Sequence, residues 1–236
     1  DFLTDKQVKN ERYTNKNSTW TIKNIQLKKF TTGIYDYSLF SAVFTPIDRN
    51  KFPKSLKVSA SSQEWCGTMF TQLNLIDNTD YKVEHRSYFE NEGDRTTRIK
   101  KSFLEDEVFT VLRMNPLLLP IGIIQLIPPA NYIQLKHLQL QSFKAITSLT
   151  SYDKKEVSGK NLMEYKMEYA QLKRSMSIIF ENKAPYKIVG WFETFPSAFD
   201  GKLRTTSAIL KAQKMLPYWS QNSLKDEHLR KELGLH

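Results

Sequence analysis

Regular alternation of apolar and polar residues is the feature that most constrains the fold of this chain. In residues 165–169 every second side chain is apolar, and Met176, Ile178 and Phe180 repeat the pattern after a short polar break. Residues 66–76 alternate in a similar way. A period of two places successive side chains on opposite faces of a strand, and the short loops between such segments require antiparallel pairing. The sequence therefore predicts a mainly β fold, built as one large curved antiparallel sheet or a half-barrel.

Helices are predicted in only two places. Residues 102–115 begin with Ser102 as the N-cap, carry three acidic residues in the first turns and stop before a proline. The apolar stripe of this helix would consist of Leu104, Val108, Val111 and Leu112. Residues 222–234 predict a short, charged surface helix that is docked by Leu224 and Leu229.

The formal net charge of +10 is concentrated at the two ends of the chain. Residues 1–50 carry 8 basic and 5 acidic side chains, and residues 201–236 carry 7 and 3, which together account for +7. The sequence has no central stripe of Lys and Arg, so no nucleic-acid partner is predicted. The basic ends instead favour docking to an anionic membrane or partner. Because no linker rich in Gly, Ser or Pro divides the chain, residues 1–236 are predicted to form a single mainly β domain.

The single cysteine lies in the most distinctive string of the chain, Ser-Ser-Gln-Glu-Trp-Cys-Gly at residues 61–67. One interpretation makes Cys66 a nucleophile that is activated by His85 or His137. The alternative, favoured because free cysteines are usually buried, is a structural thiol packed beside Trp65 at the start of a strand. Neither histidine occurs in a motif that links it to the thiol, so no catalytic residue is predicted.

Other catalytic and cofactor sites have little support in the sequence. It contains no Gly-rich phosphate loop, no Gly-x-Ser-x-Gly elbow and no His-Glu-x-x-His motif. Adjacent strand residues such as Glu84 and His85 point to opposite faces and cannot easily share an ion, so neither a metal nor a cofactor is predicted. A pair of glycosidase-type carboxylates stays open, because such pairs converge only in the fold. The candidates on predicted strands are Glu64, Glu164, Glu168 and Glu193.

Aromatic side chains are numerous enough to suggest a binding groove for a sugar or a lipid as well as a packed core. The candidates for such a groove are Tyr35, Tyr37, Phe40, Phe44, Trp191, Phe192 and Phe195. Aromatic residues at period two usually pack inward, which favours the core for most of them. The residues predicted to bind a ligand are Tyr35, Glu64, Trp65, Cys66 and Trp191.

Four stretches of the chain resemble one family of proteins. They are residues 24–48 with Phe-Thr-Thr-Gly-Ile-Tyr, residues 61–74 with the cysteine string, residues 88–94, and residues 228–234 with His-Leu-Arg-Lys-Glu-Leu-Gly. On these stretches the chain resembles extracytoplasmic lipoproteins of Bacteroidota that often carry the label "septum formation inhibitor Maf". Maf nucleotide pyrophosphatases have an α/β fold and a Ser-x-Ser-Pro-Arg-Arg signature, and this sequence matches neither.

The resemblance implies a protein of the cell envelope that is anchored to the outer membrane. The anchor would be a lipidated cysteine upstream of the position matching Asp1, where further strands would also lie. The resemblance supplies no catalytic residues. If the sheet forms a half-barrel, its fold would be similar to that of lipoprotein carriers. The expected function is non-enzymatic binding of a lipid, a glycan, or an outer-membrane or periplasmic protein complex. The alternative is a hydrolase that uses Cys66 or a carboxylate pair in the concave face of the sheet.

Overall fold

Antiparallel strands are the main secondary structure of the chain, and the computed structural model describes residues 1–235. A two-stranded sheet near the N-terminus contains β1 (Phe2–Leu3) and β2 (Ser18–Thr19). The first large sheet is a meander in which each strand pairs with the next. Its strands are β3 (Thr21–Thr32), β4 (Tyr35–Pro46), β5 (Lys57–Glu64), β6 (Gly67–Ile76), β7 (Asp80–Arg86) and β8 (Arg95–Lys100).

A connecting segment of short elements leads from the first large sheet to the second. Its elements are β9 (Phe103–Leu104), a 3-10 turn here called the acidic turn (Glu105–Glu107), α1 (Val108–Met114), β10 (Gly122–Ile127) and α2 (Ala130–Leu135). The second sheet continues from β10 through β11 (Phe143–Ser151), β12 (Leu162–Tyr169), β13 (Arg174–Glu181), β14 (Ile188–Pro196) and β15 (Leu203–Ile209). β9 runs parallel to β10 at one edge of this sheet. The helix α3 (His228–Glu232) follows.

The mainly β, antiparallel fold predicted from the alternation is confirmed, and its strands are divided between two large sheets. On β6, the alternating residues Met69, Leu73 and Leu75 are buried, as the pattern predicts. The face that carries them, together with Val58 and Tyr81, is called the inner face of the first sheet. No helix among residues 1–235 has both the length and the apolar character needed to cross a membrane.

Both sheets bury their cores against the connecting segment. Phe103 packs in the core of the second sheet, and its neighbour Leu104 packs in the core of the first. Leu126 and Ile127 on β10 divide between the two cores in the same way. Adjacent residues of a strand point to opposite faces, so β9 and β10 each contribute a side chain to either core. The connecting segment therefore belongs to both halves of the chain.

A buried arginine bonds the second sheet to the acidic turn. Arg174 on β13 donates to both carboxylate oxygens of Glu105, at 2.6 and 2.7 Å, and to Glu193 on β14, at 2.7 and 2.9 Å. The Tyr169 hydroxyl donates to Glu105 at 2.6 Å, and the guanidinium carbon lies 4.5 Å from the centre of the Tyr132 ring. Pairing of this kind is what allows charged groups to be buried at all.

The other two residues of the acidic turn bind α2 and the first sheet. Asp106 accepts a hydrogen bond from the backbone N–H of Ala130, at the start of α2, at 3.1 Å. Burial raises the pKa of the Asp106 carboxyl to about 7. Glu107 accepts from the backbone N–H and from the hydroxyl of Ser55, just before β5, at 2.9 and 2.8 Å. The acidic turn thus joins both sheets and the second helix.

The helical predictions are only partly right. α1 begins at Val108 rather than after Ser102, because Phe103 and Leu104 pair with β10 instead of joining the helix. The Ser102 hydroxyl donates to the carbonyl of Gln125 and caps no helix. α2 lies in a segment for which the sequence predicts no helix. α3 exists within the predicted range, but the docking role predicted for its preceding Leu224 is wrong, since that side chain is almost fully exposed.

Candidate functional site

Two hairpin turns of the first sheet lie side by side at one end of the sheet. β3 and β4 are joined by a turn that contains Gly33, whose φ of +63° is the left-handed conformation that glycine adopts without strain. β5 and β6 are joined by Trp65 and Cys66 alone. Because β4 pairs with β5, both turns lie at the same end.

Four aromatic rings, here called the aromatic strip, line this end of the sheet. The rings of Phe30 and Tyr37 are stacked, with their centroids 4.8 Å apart. The ring of Tyr35 lies 5.2 Å from that of Tyr37 and 5.4 Å from that of Trp65. Tyr35 and Tyr37 continue the inner face of β4 beyond Leu39, where the buried core ends. The rings of the strip are exposed or half-buried, so they are accessible to a ligand.

A hydrogen-bond network fixes the turn between β5 and β6. The Tyr35 hydroxyl donates to the Glu64 carboxylate and accepts from the backbone N–H of Cys66, at 2.8 Å for the second bond. Interaction with the Cys66 side chain, and then with Glu64, raises the pKa of the Tyr35 hydroxyl well above its ordinary range, so this group stays protonated. The structure therefore brings together four of the predicted ligand-binding residues: Tyr35, Glu64, Trp65 and Cys66.

A depression of about 610 Å³ lies across the ends of β3, β4 and β5, beside the aromatic strip. Its lining combines an indole ring with hydroxyls, an amide and side chains of both charges: Trp65, Lys29, Thr31, Asp36, Ser38 and Gln63, with Phe30, Tyr37 and Glu64 between them. The polar residues alternate along the strands with those of the inner face, so they belong to the opposite face of the same strand ends. Trp65 belongs to the aromatic strip and also lines the depression.

The fifth predicted residue, Trp191, is placed apart from this group. It lies on β14 in the second sheet, where it packs against the core. Its ring is 5.1 Å from the ammonium group of Lys28 on β3. Lys28 precedes Phe30 by two residues on the same face of β3, so Trp191 lies toward the end of the aromatic strip that is remote from Cys66.

Both histidines that the sequence offers as partners of Cys66 are instead hydrogen-bonded to Glu92, which no sequence pattern singles out. Glu92, between β7 and β8, lies 2.6 Å from Nδ1 of His137 and 3.2 Å from Nε2 of His85. It also accepts from the Ser87 hydroxyl at 2.6 Å. Burial acts to raise the pKa of Glu92, but these hydrogen bonds hold it below its ordinary value.

The thiol of Cys66 is exposed, so the interpretation as a buried structural thiol is wrong.

The carboxylates considered as a glycosidase pair are spread over the molecule. Glu164 and Glu168 share one face of β12, while Glu193 is held in the buried network around the arginine. Glu64 lines the depression together with Asp36, which is not among the residues predicted from the sequence. Within residues 1–235, no group of three or more His, Cys, Asp and Glu side chains is placed to hold a metal ion.

No protein-family model, no curated protein and no solved structure matches the chain. The fold and the site therefore define the protein by class alone. It is a mainly β protein of two large antiparallel sheets, with an aromatic strip and a polar depression at one end of the first sheet.

Proposed function

We propose that this chain is a non-enzymatic binding protein of the bacterial cell envelope, and that it holds a glycan at the end of the first sheet. The observation that carries the ligand class is the exposed indole of Trp65 at the border of a depression lined by hydroxyl, amide and charged side chains. A pyranose ring has an apolar face of C–H groups and an edge of hydroxyls. It can therefore stack on an aromatic ring while its hydroxyls bond to polar neighbours.

The chemistry of the depression favours a glycan over the other ligands that the sequence leaves open. A lipid chain needs an enclosed, largely apolar pocket, whereas this depression is open and lined by Lys29, Asp36 and uncharged polar side chains. A partner protein usually buries an apolar centre from which charged residues are depleted, and here two carboxylates and an ammonium group line the same depression as the indole.

The turn that carries Trp65 supports the proposal because it is held in place before any ligand arrives. The Tyr35 hydroxyl bonds both Glu64 and the backbone of Cys66, on either side of Trp65. A ring on a fixed turn loses little conformational entropy when it stacks on a ligand. Tyr35 is thus a positioning residue for the indole.

The envelope location rests on the resemblance to extracytoplasmic lipoproteins. Fractionation of native cells, followed by immunodetection of the full-length protein, is the direct test. The proposal expects recovery in the membrane fraction, and recovery in the cytosol would contradict it.

Glycan binding is tested by incubating the purified chain with an array of immobilised oligosaccharides. We expect retention on at least one glycan class, and we expect Trp65→Ala to weaken that binding about tenfold or more, as truncation of a central aromatic contact does. Trp20→Ala is a matched control, because Trp20 is 66% exposed against 61% for Trp65 and lies at the opposite end of β3. Failure to retain any glycan, or equal losses in both variants, would contradict the proposal.

A glycan hydrolase at the same place is the second candidate, since Asp36 and Glu64 bring two carboxylates to the depression. The chain is incubated with a glycan that it retains, and new reducing ends are measured. If the protein only binds the glycan, no new reducing ends form. If reducing ends form and Glu64→Gln abolishes them, the protein is a hydrolase that uses this carboxylate. If Cys66→Ala abolishes them, the reaction uses the thiol.

A further inference from the structure

The last part of the described chain, residues 210–235, forms what we call the C-terminal arm. The backbone N–H of Leu210 still bonds to the carbonyl of Val189 on β14. Beyond it, every residue from 211 to 235 is exposed or half-buried. Lys214 pairs with Glu232, which folds the arm back on itself, so the arm has a local structure of its own.

Large apolar side chains of the arm face solvent. Met215 is 90% exposed, Trp219 is 71% exposed and Leu224 is 91% exposed, and the Tyr218 ring packs edge-on against Trp219 at 5.4 Å. Four such side chains within ten residues make an exposed stretch, rich in apolar side chains, that the rest of the described chain does not cover. Surfaces of this kind on soluble proteins mark sites of interaction.

The charges of the arm indicate what covers this surface. The arm carries five basic residues, which are Lys211, Lys214, Lys225, Arg230 and Lys231, against three acidic ones. Of the acidic residues, Glu232 is paired with a lysine of the arm, and Asp226 accepts hydrogen bonds from the Ser223 backbone and hydroxyl. Hydrogen bonds from Ser223 hold the pKa of Asp226 below its ordinary value. The excess of positive charge therefore favours an anionic surface.

From the apolar exposure and the charge together, we propose that the C-terminal arm binds the surface of an anionic lipid bilayer. Trp and Tyr are the residues that membranes accommodate at the headgroup level, where one part of the ring is in contact with acyl chains and the polar tip with water. Met215 and Leu224 enter the acyl boundary beside them, and the lysines of the arm lie among the lipid phosphates. This binding uses a different part of the molecule from the glycan site.

The test uses the full chain and vesicles of two compositions, phosphatidylcholine alone and phosphatidylcholine mixed with phosphatidylglycerol. Co-sedimentation measures the affinity. We expect binding to the anionic vesicles that weakens as salt is raised, and little binding to phosphatidylcholine alone. The double variant Trp219→Ser, Leu224→Ser should bind about tenfold more weakly or worse, because it loses two apolar side chains from the interface.

Phe199→Ser is the matched apolar control, since Phe199 is a large, almost fully exposed side chain between β14 and β15. It should leave vesicle binding unchanged. The charge contribution is tested by Lys211→Gln with Lys225→Gln, expected to weaken binding about thirtyfold at low salt. The pair Lys155→Gln with Lys183→Gln, exposed lysines outside the arm, is its control.

Three results would overturn the proposal. One is equal binding to both kinds of vesicle, and another is an equal loss in the arm variants and their controls. The third is absence of vesicle binding combined with dimerisation of the chain that Trp219→Ser abolishes in sedimentation velocity, which would make a second copy the partner of the arm. Circular dichroism of each variant confirms that the sheets are intact, so a loss of binding cannot be attributed to unfolding.

Discussion

Arg174 is enclosed by two carboxylates and an aromatic ring, with its side chain 1% exposed. Moving three ionised groups out of water costs several kcal/mol each, which their mutual attraction and hydrogen bonds largely offset. The net contribution of such a network to stability is small, yet removal of one member leaves the others buried and unpaired. The network therefore acts mainly by fixing how the acidic turn docks on β13 and β14.

Arg174→Met is expected to lower the free energy of unfolding by about 3–5 kcal/mol, because Glu105 and Glu193 would remain buried without a counter-charge. Urea denaturation followed by circular dichroism measures the loss. The triple variant Glu105→Leu, Arg174→Met, Glu193→Leu should recover much of the loss, since none of the three charges of this network is then left in the interior. A single variant as stable as the natural protein would contradict this account.

An exposed ion pair supplies the control for this experiment. Arg204 and Asp200 lie 2.8 Å apart at the surface, where water and salt screen the interaction. Arg204→Met should change the free energy of unfolding by less than about 1 kcal/mol.

Because of the buried carboxyl of Asp106, the free energy of unfolding should depend on pH. Burial raises its pKa from 3.8 to about 7 in the folded chain. Between these values the folded state binds a proton that the unfolded state has released, so the free energy of unfolding falls as pH rises, by up to about 1.4 kcal/mol per pH unit. The contribution is complete below about pH 4 and is lost by about pH 7.

Asp106→Asn should remove this pH-dependent part of the free energy of unfolding, because asparagine has no proton to release. Its side-chain oxygen still accepts a hydrogen bond from the Ala130 N–H. The measurement is the difference in free energy of unfolding between the two proteins across this pH range. It should change steadily from pH 4 to pH 7. A constant difference would show that the carboxyl titrates in the same way in both states.

The elements of this chain could be predicted wherever they obey local patterns. β6, β12 and β13 alternate clearly, and all three are found. The start of α1 could not be predicted, because the pairing of Phe103 and Leu104 with β10 is made by residues more than twenty positions away. Local signals such as three acidic residues after a serine favour a helix there, and a long-range strand pairing overrides them.

In the loop between β7 and β8, one side chain, Glu92, bonds the loop to two other parts of the chain. Glu92 contacts His85 on the sheet, His137 after α2, and Ser87 in its own loop. Glu92→Gln is expected to speed amide hydrogen exchange across residues 87–94 while leaving the core of the sheet protected, because an uncharged amide bonds both histidines less strongly. Hydrogen-exchange mass spectrometry measures this.

Glu90→Gln is the matched control, since Glu90 is an exposed carboxylate in the same loop. It should leave exchange unchanged. Equal protection of the loop in both variants would mean that its backbone, rather than Glu92, holds it in place.

At the scale of the whole molecule, the candidate site could be predicted only in part. The string around Cys66 points to Glu64 and Trp65, and Tyr35 is found by its aromatic context. Lys29 and Asp36 are missed, because an exposed polar residue on an edge hairpin has the same pattern whether it binds a ligand or only water. Lys29 and Asp36 converge because of the register of β3, β4 and β5. That register is set by the turn at Gly33 together with the pairing of β4 with β5.

The two sheets should unfold together, because the connecting segment is shared between their cores. Leu104 and Ile127 pack with the first core, Phe103 and Leu126 with the second, and the acidic turn bonds to both. Separating the sheets would expose these side chains and strip the acidic turn of its partners. Neither half then retains a complete core, which favours one cooperative transition.

Two single-tryptophan variants measure this directly, one keeping only Trp65 in the first sheet and the other only Trp191 in the second, with the remaining tryptophans changed to phenylalanine. In urea, each variant's fluorescence transition should have the same midpoint as its own circular dichroism transition. Leu104→Ala, which leaves a cavity at a fully buried position, should lower the free energy of unfolding by about 2–5 kcal/mol. The loss should be the same whether it is measured by Trp65 or by Trp191. A shift confined to Trp65 would show that the first sheet unfolds alone and that the chain contains two domains.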